Sequence, residues 1–312
     1  MGAAHPRGLT GEPVLRGHRG HQPQPRDGRP RRWPGRDAGR QTHDRDGRRR
    51  PVIAATRAEL RKFFTTRLWW GLAIGVALSA VLLTALFTGL AGNQGLPPLD
   101  SPNAVSQAYT SGLTFAYLIV LALGIISIGS EYRHQTISSA YLTVPHRVRL
   151  FAAKLVATAV MGAIYGVVYV IAALATGIPI ITLRGFDPFP ADDTVLRSLA
   201  MSVLALALWA LIGFGLGALI KNQIAALLIG VGVAWIGEQL ILLGLAALDL
   251  GAVGAYLPGM ATVALVQEPL QVEGMPFAFE YLQWWQGALV LAAYALVLAG
   301  LGAFRASRED VS

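Results

Sequence analysis

The chain of 312 residues is 54% hydrophobic and only 14% charged, a composition too apolar for an ordinary soluble domain. Its formal net charge of +8 lies wholly within residues 1–50, so the remaining residues give no reason to expect a nucleic-acid surface. Cysteine is absent, which excludes disulfides, thiolate metal sites and cysteine nucleophiles. The sequence therefore predicts an integral membrane protein.

The N-terminal segment, residues 1–50, is rich in Arg, Gly, Pro, His and Asp and lacks apolar periodicity. Such a segment buries too little apolar surface to offset its ordering entropy, so we predict a disordered tail. Thirteen Arg with no Lys is the composition expected of a GC-rich upstream region translated from a start codon set too early. A basic arm that binds anionic lipid or nucleic acid is the alternative. The first apolar run is too long and lies too far downstream to be a cleaved signal peptide.

Residues 51–67 contain the basic, periodic stretch "VIAATRAELRKFFTTR". At helical spacing Ile53, Leu60 and Phe64 share one face, whereas Arg61 and Lys62 lie elsewhere on the helix. This pattern predicts an amphipathic helix in the cytoplasmic membrane interface. A plain basic flank that orients the first span remains the alternative.

Six segments further along are long enough to cross a bilayer, whose core of about 30 Å needs roughly 20 apolar residues in a helix. Each must be α-helical, because backbone groups in hydrocarbon have to be satisfied within their own segment. We place these spans within a transmembrane domain of residues 68–305, at about 68–91, 112–130, 151–177, 197–220, 224–248 and 284–304. The predicted fold is therefore an all-α membrane protein with a short tail at residues 306–312.

The distribution of Lys and Arg between the connecting segments predicts the orientation. With six spans, one side of the membrane receives nearly all the basic residues: Arg57, Arg61, Lys62, Arg67, Arg133, Arg147, Arg149, Lys154, Lys221, Arg305 and Arg308. The opposite loops, 92–111, 178–196 and 249–283, hold one basic residue, Arg184. Both termini are therefore predicted to be cytoplasmic.

The last outer loop contains "GAVGAYLPGMATVALVQEPL", which is moderately apolar but interrupted by Gly and Pro. The segment is too short to cross the membrane, so we predict that it forms a re-entrant or interfacial hairpin before the sixth span. Glycines within the spans, as in "GFGLGAL", are predicted to allow close helix packing and have no substrate role.

Glu238 is the deepest charged residue of the predicted spans. A carboxylate at mid-membrane costs about 2.5–3.5 kcal/mol on insertion scales, so it should face the bundle or a wet cavity. It is either a polar contact in a substrate path or a structural glutamate that is protonated or hydrogen-bonded, for instance to Gln239. No second buried acid, lysine or histidine is expected in the spans, which disfavours a proton-coupled secondary transporter.

No catalytic constellation is evident in the sequence. The patterns HExxH and GxSxG are missing, and the only His residues outside the tail are His134 and His146. GxxxxGK[ST] is missing too, so the chain has no P-loop of its own for ATP. A transport or binding role is favoured over an enzymatic one.

The segment "EYRHQTISSAYLTVPHRVRLFAAK", Glu131 to Lys154, is the largest cytoplasmic connection between predicted spans. Thr136 is a suitable N-cap for a short helix through Leu142, and Pro145 is suited to begin the next helix. Its basic residues, Lys154 included, lie where their side chains can reach the membrane surface. Membrane orientation explains the charge of the segment but does not explain the order of its residue types.

That order resembles the permease subunits of type-2 ATP-binding-cassette (ABC) exporters, whose second span ends in Glu and Arg before a Thr, a short helix, Pro-x-Arg and a Lys. The matching residues here are Glu131, Arg133, Thr136, Pro145, Arg147 and Lys154. Gln135 stands where the family usually has Gly. The resemblance extends from about Val52 to the basic and acidic C-terminal tail "FRASREDV".

The resemblance implies a bacterial plasma-membrane protein that works with a second permease copy and two P-loop ATPase subunits. The short helix, with Thr136, Ile137 and Leu142, would dock into the ATPase, and Glu131, Arg133, Pro145 and Arg147 would fix it against the spans. No cofactor would be bound by this chain, because ATP and Mg²⁺ would be used by the partner. A non-transporting anchor or regulatory subunit for an ATPase, and a membrane-embedded enzyme, remain the alternatives.

Overall fold

The computed structural model describes residues 50–93, 96–133, 147–190, 193–267 and 281–308, and within them the side chains of 55–93, 96–129, 151–190, 193–267 and 281–305. In those ranges the regular elements are all helical. They are α1 (Arg50–Thr65), α2 (Leu68–Leu90), α3 (Pro102–Thr110), α4 (Leu113–Arg133), α5 (Arg147–Leu183), α6 (Thr194–Leu219), α7 (Gln223–Gly232), a π-helical turn (Val233–Gly237), α8 (Glu238–Ala247), α9 (Gly251–Gly254), α10 (Pro258–Val266) and α11 (Trp284–Arg308).

Six helical stretches of the described chain are long and apolar enough to cross a membrane, which confirms the predicted number. They run over Leu68–Leu90, Pro102–Gly129, Phe151–Leu183, Thr194–Leu219, Gln223–Ala247 and Trp284–Arg305. The fifth is assembled from α7, the π-helical turn and α8. The predicted all-α membrane fold is therefore confirmed.

The second span begins earlier than predicted, because α3 leads into α4 where the sequence suggested a loop. The Ser101 side chain caps α3 by accepting a hydrogen bond from the Ala104 N–H at 3.3 Å, and Pro102 occupies the first turn. The polar residues that concealed this helix are buried against protein: the hydroxyl groups of Ser106 and Ser198 lie 2.6 Å apart.

The third span also extends beyond its predicted end at residue 177. Helix α5 continues through Pro179 to Leu183. A proline usually ends a helix in water, but helices in a membrane protein tolerate it because neighbouring groups satisfy the freed carbonyl. The sequence rule placed the end of this span too early.

The core of the bundle is the contact between α4 and α6, which lie almost backbone to backbone. A Cβ atom added to Gly213 would lie 2.1 Å from the Leu121 carbonyl oxygen, and one added to Gly124 would lie 2.1 Å from that of Ala210. These contacts confirm the packing role predicted for span glycines at Gly124 and Gly213.

The segment predicted to form an outer hairpin contains the short helices α9 and α10. Helix α10 has nine residues, too few to cross a bilayer, and it packs against α6 and α11. Its side chains Ala261, Thr262 and Leu265 are buried. Helix α10 therefore packs within the body of the protein.

Candidate functional site

The predicted ATPase-coupling residues lie at the margin of the described structure. Glu131 and Arg133 are in the last turn of α4, and Arg147 begins α5. Thr136, Ile137, Leu142 and Pro145 lie outside the described residues. The coupling role assigned to all seven residues remains a prediction.

Two charged side chains are buried among those the structure describes. Glu238 is 4% exposed in the fifth span, and Lys154 is 6% exposed in the third. The first is the predicted substrate-path candidate. The burial of Lys154 shows that two expectations are wrong. The spans do contain a buried lysine, and its side chain does not extend to the membrane surface.

The carboxylate of Glu238 lies at the N-terminus of α10. Its Oε1 accepts hydrogen bonds from the N–H groups of Gly259 at 2.7 Å and Met260 at 3.1 Å, and its Oε2 lies 3.0 Å from the Gly259 nitrogen. The N-cap residue itself, Leu257, makes no side-chain cap bond. From the fifth span, Glu238 therefore supplies α10 with the acceptor that an N-cap side chain supplies in other helices, and it complements the helix dipole.

The partner of Glu238 was not found from the sequence. If Glu238 is a structural glutamate, the sequence suggests a neighbour such as Gln239 as its hydrogen-bond partner. The observed donors are instead backbone N–H groups 21 and 22 residues away. A backbone donor has no residue-type signal. The available clue was "LPGM", since Pro at the first position of a helix is followed by N–H groups without helical acceptors.

The π-helical turn from Val233 to Gly237 directly precedes Glu238. The hydrogen bond of a π-turn spans one residue more than that of an α-turn. The extra residue rotates the side chains that follow it around the helix axis. Such turns are rare in proteins, and those that occur are often found at functional sites. Here the turn determines the direction in which the first residue of α8 points.

Gly259 leaves room for this contact. A Cβ atom at that position would lie 2.7 Å from both carboxylate oxygens of Glu238, closer than real contacts allow. The absence of a side chain lets the carboxylate reach the two N–H groups. Gly259 is thus part of the site, although sequence reasoning did not select it.

A cavity of about 230 Å³ opens beside Glu238, between α4, the fifth span and α10. It is polar for a membrane bundle, and its described lining residues include no Lys, Arg or His. Those with polar side chains are Thr110, Thr114, Tyr117, Glu238, Gln239, Thr262 and Gln267. The cavity can accept a hydrogen-bonding or cationic group.

Hydrogen bonds stiffen the wall of this cavity. The Trp209 indole donates to the Thr262 hydroxyl at 2.9 Å, and its ring stacks on Tyr117 with the ring centres 4.2 Å apart. The Gln267 amide donates to the Thr110 hydroxyl at 2.8 Å. These bonds tie α10 and its C-terminal end to α6 and α3.

Lys154 lies in a different environment, at the contact between α1 and α5. Its Nζ is 2.8 Å from Glu59 Oε1, and the Glu59 side chain is 24% exposed. The Thr56 hydroxyl donates to the Ala153 carbonyl at 3.4 Å nearby. Sequence reasoning missed Glu59, although it is the only acid in the predicted interfacial helix.

Residues 55–237 match the model of a family described as ABC-2 family transporter protein. This match covers more than half of the chain, from α1 through the π-helical turn, and includes the segment from Glu131 to Lys154. A comparison with curated proteins gave no match. Glu238, α10 and α11 lie beyond the matched residues.

Proposed function

This chain belongs to the ABC-2 family of transporter proteins, and from that membership we propose that it forms half of the membrane pathway of an exporter driven by a separate ATPase. The chain is the multi-pass membrane component of an ABC transporter. The observation that carries the proposal is the family match over α1 to the π-helical turn, within a bundle of six membrane-length helices.

In the proposed assembly, two permease chains and two P-loop ATPases make the working unit in a bacterial plasma membrane. Both termini and the connection between α4 and α5 face the cytoplasm, in agreement with the positions of Lys and Arg. ATP and Mg²⁺ bind to the ATPases, and this chain binds neither. ATP-driven closure of the ATPases moves the connection and changes the exposure of the pathway.

The coupling element is proposed to be the short helix from Thr136 to Leu142, with Ile137 inside the ATPase cleft. Glu131 and Arg133 would hold it to the end of α4, and Pro145 and Arg147 would hold it to the start of α5. The two ends of this connection, α4 and α5, are helical at Glu131 and Arg147, respectively. A push on the connection would therefore act on two rigid spans.

Affinity purification of the tagged chain from native membranes tests the partnership. A P-loop ATPase should copurify, and Glu131→Ala or Thr136→Pro should uncouple ATP hydrolysis from transport while the chain still inserts. Ser138→Ala is the matched control, since Ala is compatible with a short helix. If no ATPase copurifies, or if both variants transport normally, the proposed coupling is wrong. ATP hydrolysis without transport of any cargo would favour the regulatory alternative.

We also propose that Glu238 borders the pathway, on the strength of the polar cavity beside it. Because the chain has no cysteine, single-cysteine variants need no background changes. A thiol at Gln239→Cys, in the cavity wall, should react with a membrane-impermeant methanethiosulfonate reagent. A thiol at Leu240→Cys should not react, because Leu240 does not line the cavity and its side chain, 63% exposed on a membrane-length helix, is expected to face lipid. Equal labelling of the two positions would contradict the proposal.

A further inference from the structure

A second cavity, of about 290 Å³, lies between α1, the start of α2, and the pair formed by α4 and α5. Its wall is mostly hydrocarbon, contributed by Leu60, Phe63, Leu68, Leu123, Ile126 and Met161. An apolar cavity of this size does not retain water, and its lining atoms lack contacts on one side while it stays empty. It therefore favours an apolar occupant.

The polar groups in the same wall are bonded to protein. Glu59 pairs with Lys154 at 2.8 Å. The Ser127 hydroxyl lies 2.8 Å from the Gly124 carbonyl oxygen, to which it donates, and 3.3 Å from the Thr158 hydroxyl. The occupant of the cavity consequently needs no hydrogen-bonding group inside it, which is the property of a hydrocarbon chain.

The rim of the cavity carries the opposite chemistry. Lys62 lines it and is exposed, and Arg57, Arg61 and Arg67 are exposed along and just beyond α1. Basic residues close to a membrane surface each contribute about 1 kcal/mol of attraction to anionic lipid. An occupant with an apolar chain and a negatively charged head would satisfy both the wall and the rim.

We propose that this cavity holds one acyl chain of an anionic glycerophospholipid, with the phosphate beside the basic residues of α1. Ordinary small-molecule sites have volumes of about 300 Å³ or more, and this cavity is slightly smaller. It therefore has room for one acyl chain, and the rest of the lipid stays in the bilayer. The bound chain fills the space between α1 and the spans. The site depends on α1 lying at the membrane surface and is independent of cargo, transport direction and ATPase partner.

Lipid titration of the purified full chain tests the site. Phosphatidylglycerol should raise the thermal unfolding midpoint more than phosphatidylcholine does, and native mass spectrometry should retain phosphatidylglycerol preferentially. Ala157→Leu adds bulk to the buried cavity wall and should raise the half-saturating phosphatidylglycerol concentration about tenfold, the equivalent of roughly two buried methylene groups. Ala152→Leu is the matched control, because Ala152 is exposed on the same helix and does not line the cavity.

A variant without two of the basic charges at and beside the rim, called the rim variant, tests the contribution of the lipid head group separately from that of the acyl chain. The double change Arg61→Ala and Lys62→Ala alters exposed positions, so the chain should fold, but phosphatidylglycerol should then bind no better than phosphatidylcholine. Equal protection of the unmodified chain by both lipids would overturn the proposal. So would equal protection by glycerol 3-phosphate, which has no acyl chain, or unchanged phosphatidylglycerol binding by a folded Ala157→Leu chain. If Ala157→Leu does not fold, the unmodified chain and the rim variant still decide.

Discussion

Glu238 and Lys154 are both buried charges in an apolar bundle, yet the structure stabilises them in different ways. Glu238 is held by two backbone N–H groups at the start of α10, whereas Lys154 is held by the carboxylate of Glu59. Backbone donors belong to a helix with fixed geometry and cannot reorient. A partly exposed carboxylate can turn toward water when its partner is lost. The two sites should therefore respond very differently to substitution.

The largest effect is expected from Gly259→Ala. The new methyl group would lie 2.7 Å from both oxygens of Glu238, so the carboxylate must shift toward the cavity beside it and lose its hydrogen bonds to the Gly259 and Met260 N–H groups. A hydrogen bond to a charged group contributes about 1.5–3 kcal/mol and two are lost here, so the expected cost is about 3 kcal/mol or more. Reversible unfolding in mixed micelles of sodium dodecyl sulfate should show a loss of that size.

Gly244→Ala is the matched control for this substitution. Gly244 is exposed in α8, and a Cβ atom there meets nothing within 4 Å. Alanine in a helix interior is favoured over glycine by up to about 1 kcal/mol, so the control should be neutral or stabilising. In a Glu238→Gln background Gly259→Ala should cost less, because the displaced group is no longer charged. An equal cost in both backgrounds would show that the charge of Glu238 is irrelevant to the contact.

The two sites also differ in how far the sequence predicts them. Glu238 was selected from the sequence because a carboxylate among apolar residues is conspicuous, but its donors are main-chain groups with no residue-type signature. For Lys154 the reverse holds. Its position resembles one in the family, but its burial has no local signal in the sequence. That burial depends on α1 packing against α5, where Thr56 and Ala153 are in contact although they lie 97 residues apart.

The spans show the same division between local and tertiary signals. Their number and most of their limits follow from hydropathy, because the lipid imposes it on every exposed residue. The predicted limits of the spans are wrong where the helix is surrounded by protein instead of lipid. Helix α3 is polar in sequence because its Ser106 bonds to Ser198, and α5 passes through Pro179.

A smaller effect is expected from Lys154→Met, which removes the ammonium group and keeps much of the apolar stem. The Glu59 carboxylate left behind is 24% exposed and can regain hydration, so the loss should be about 1–2 kcal/mol, below the 3–5 kcal/mol typical of a fully buried pair. The same unfolding measurement tests this value. A loss as large as that of Gly259→Ala would remove the distinction between the two sites.

A double-mutant cycle with Glu59→Gln isolates the pair itself. If the ion pair accounts for the loss, the combined variant Glu59→Gln and Lys154→Met should be more stable than the sum of the single changes predicts, by about 1 kcal/mol. Exchanging the pair for neutral groups removes both desolvation costs, as replacement of buried ion pairs by apolar residues often does. Strict additivity would mean that Lys154 stabilises the contact between α1 and α5 through its hydrocarbon stem, and that its charge is held in place by groups other than Glu59.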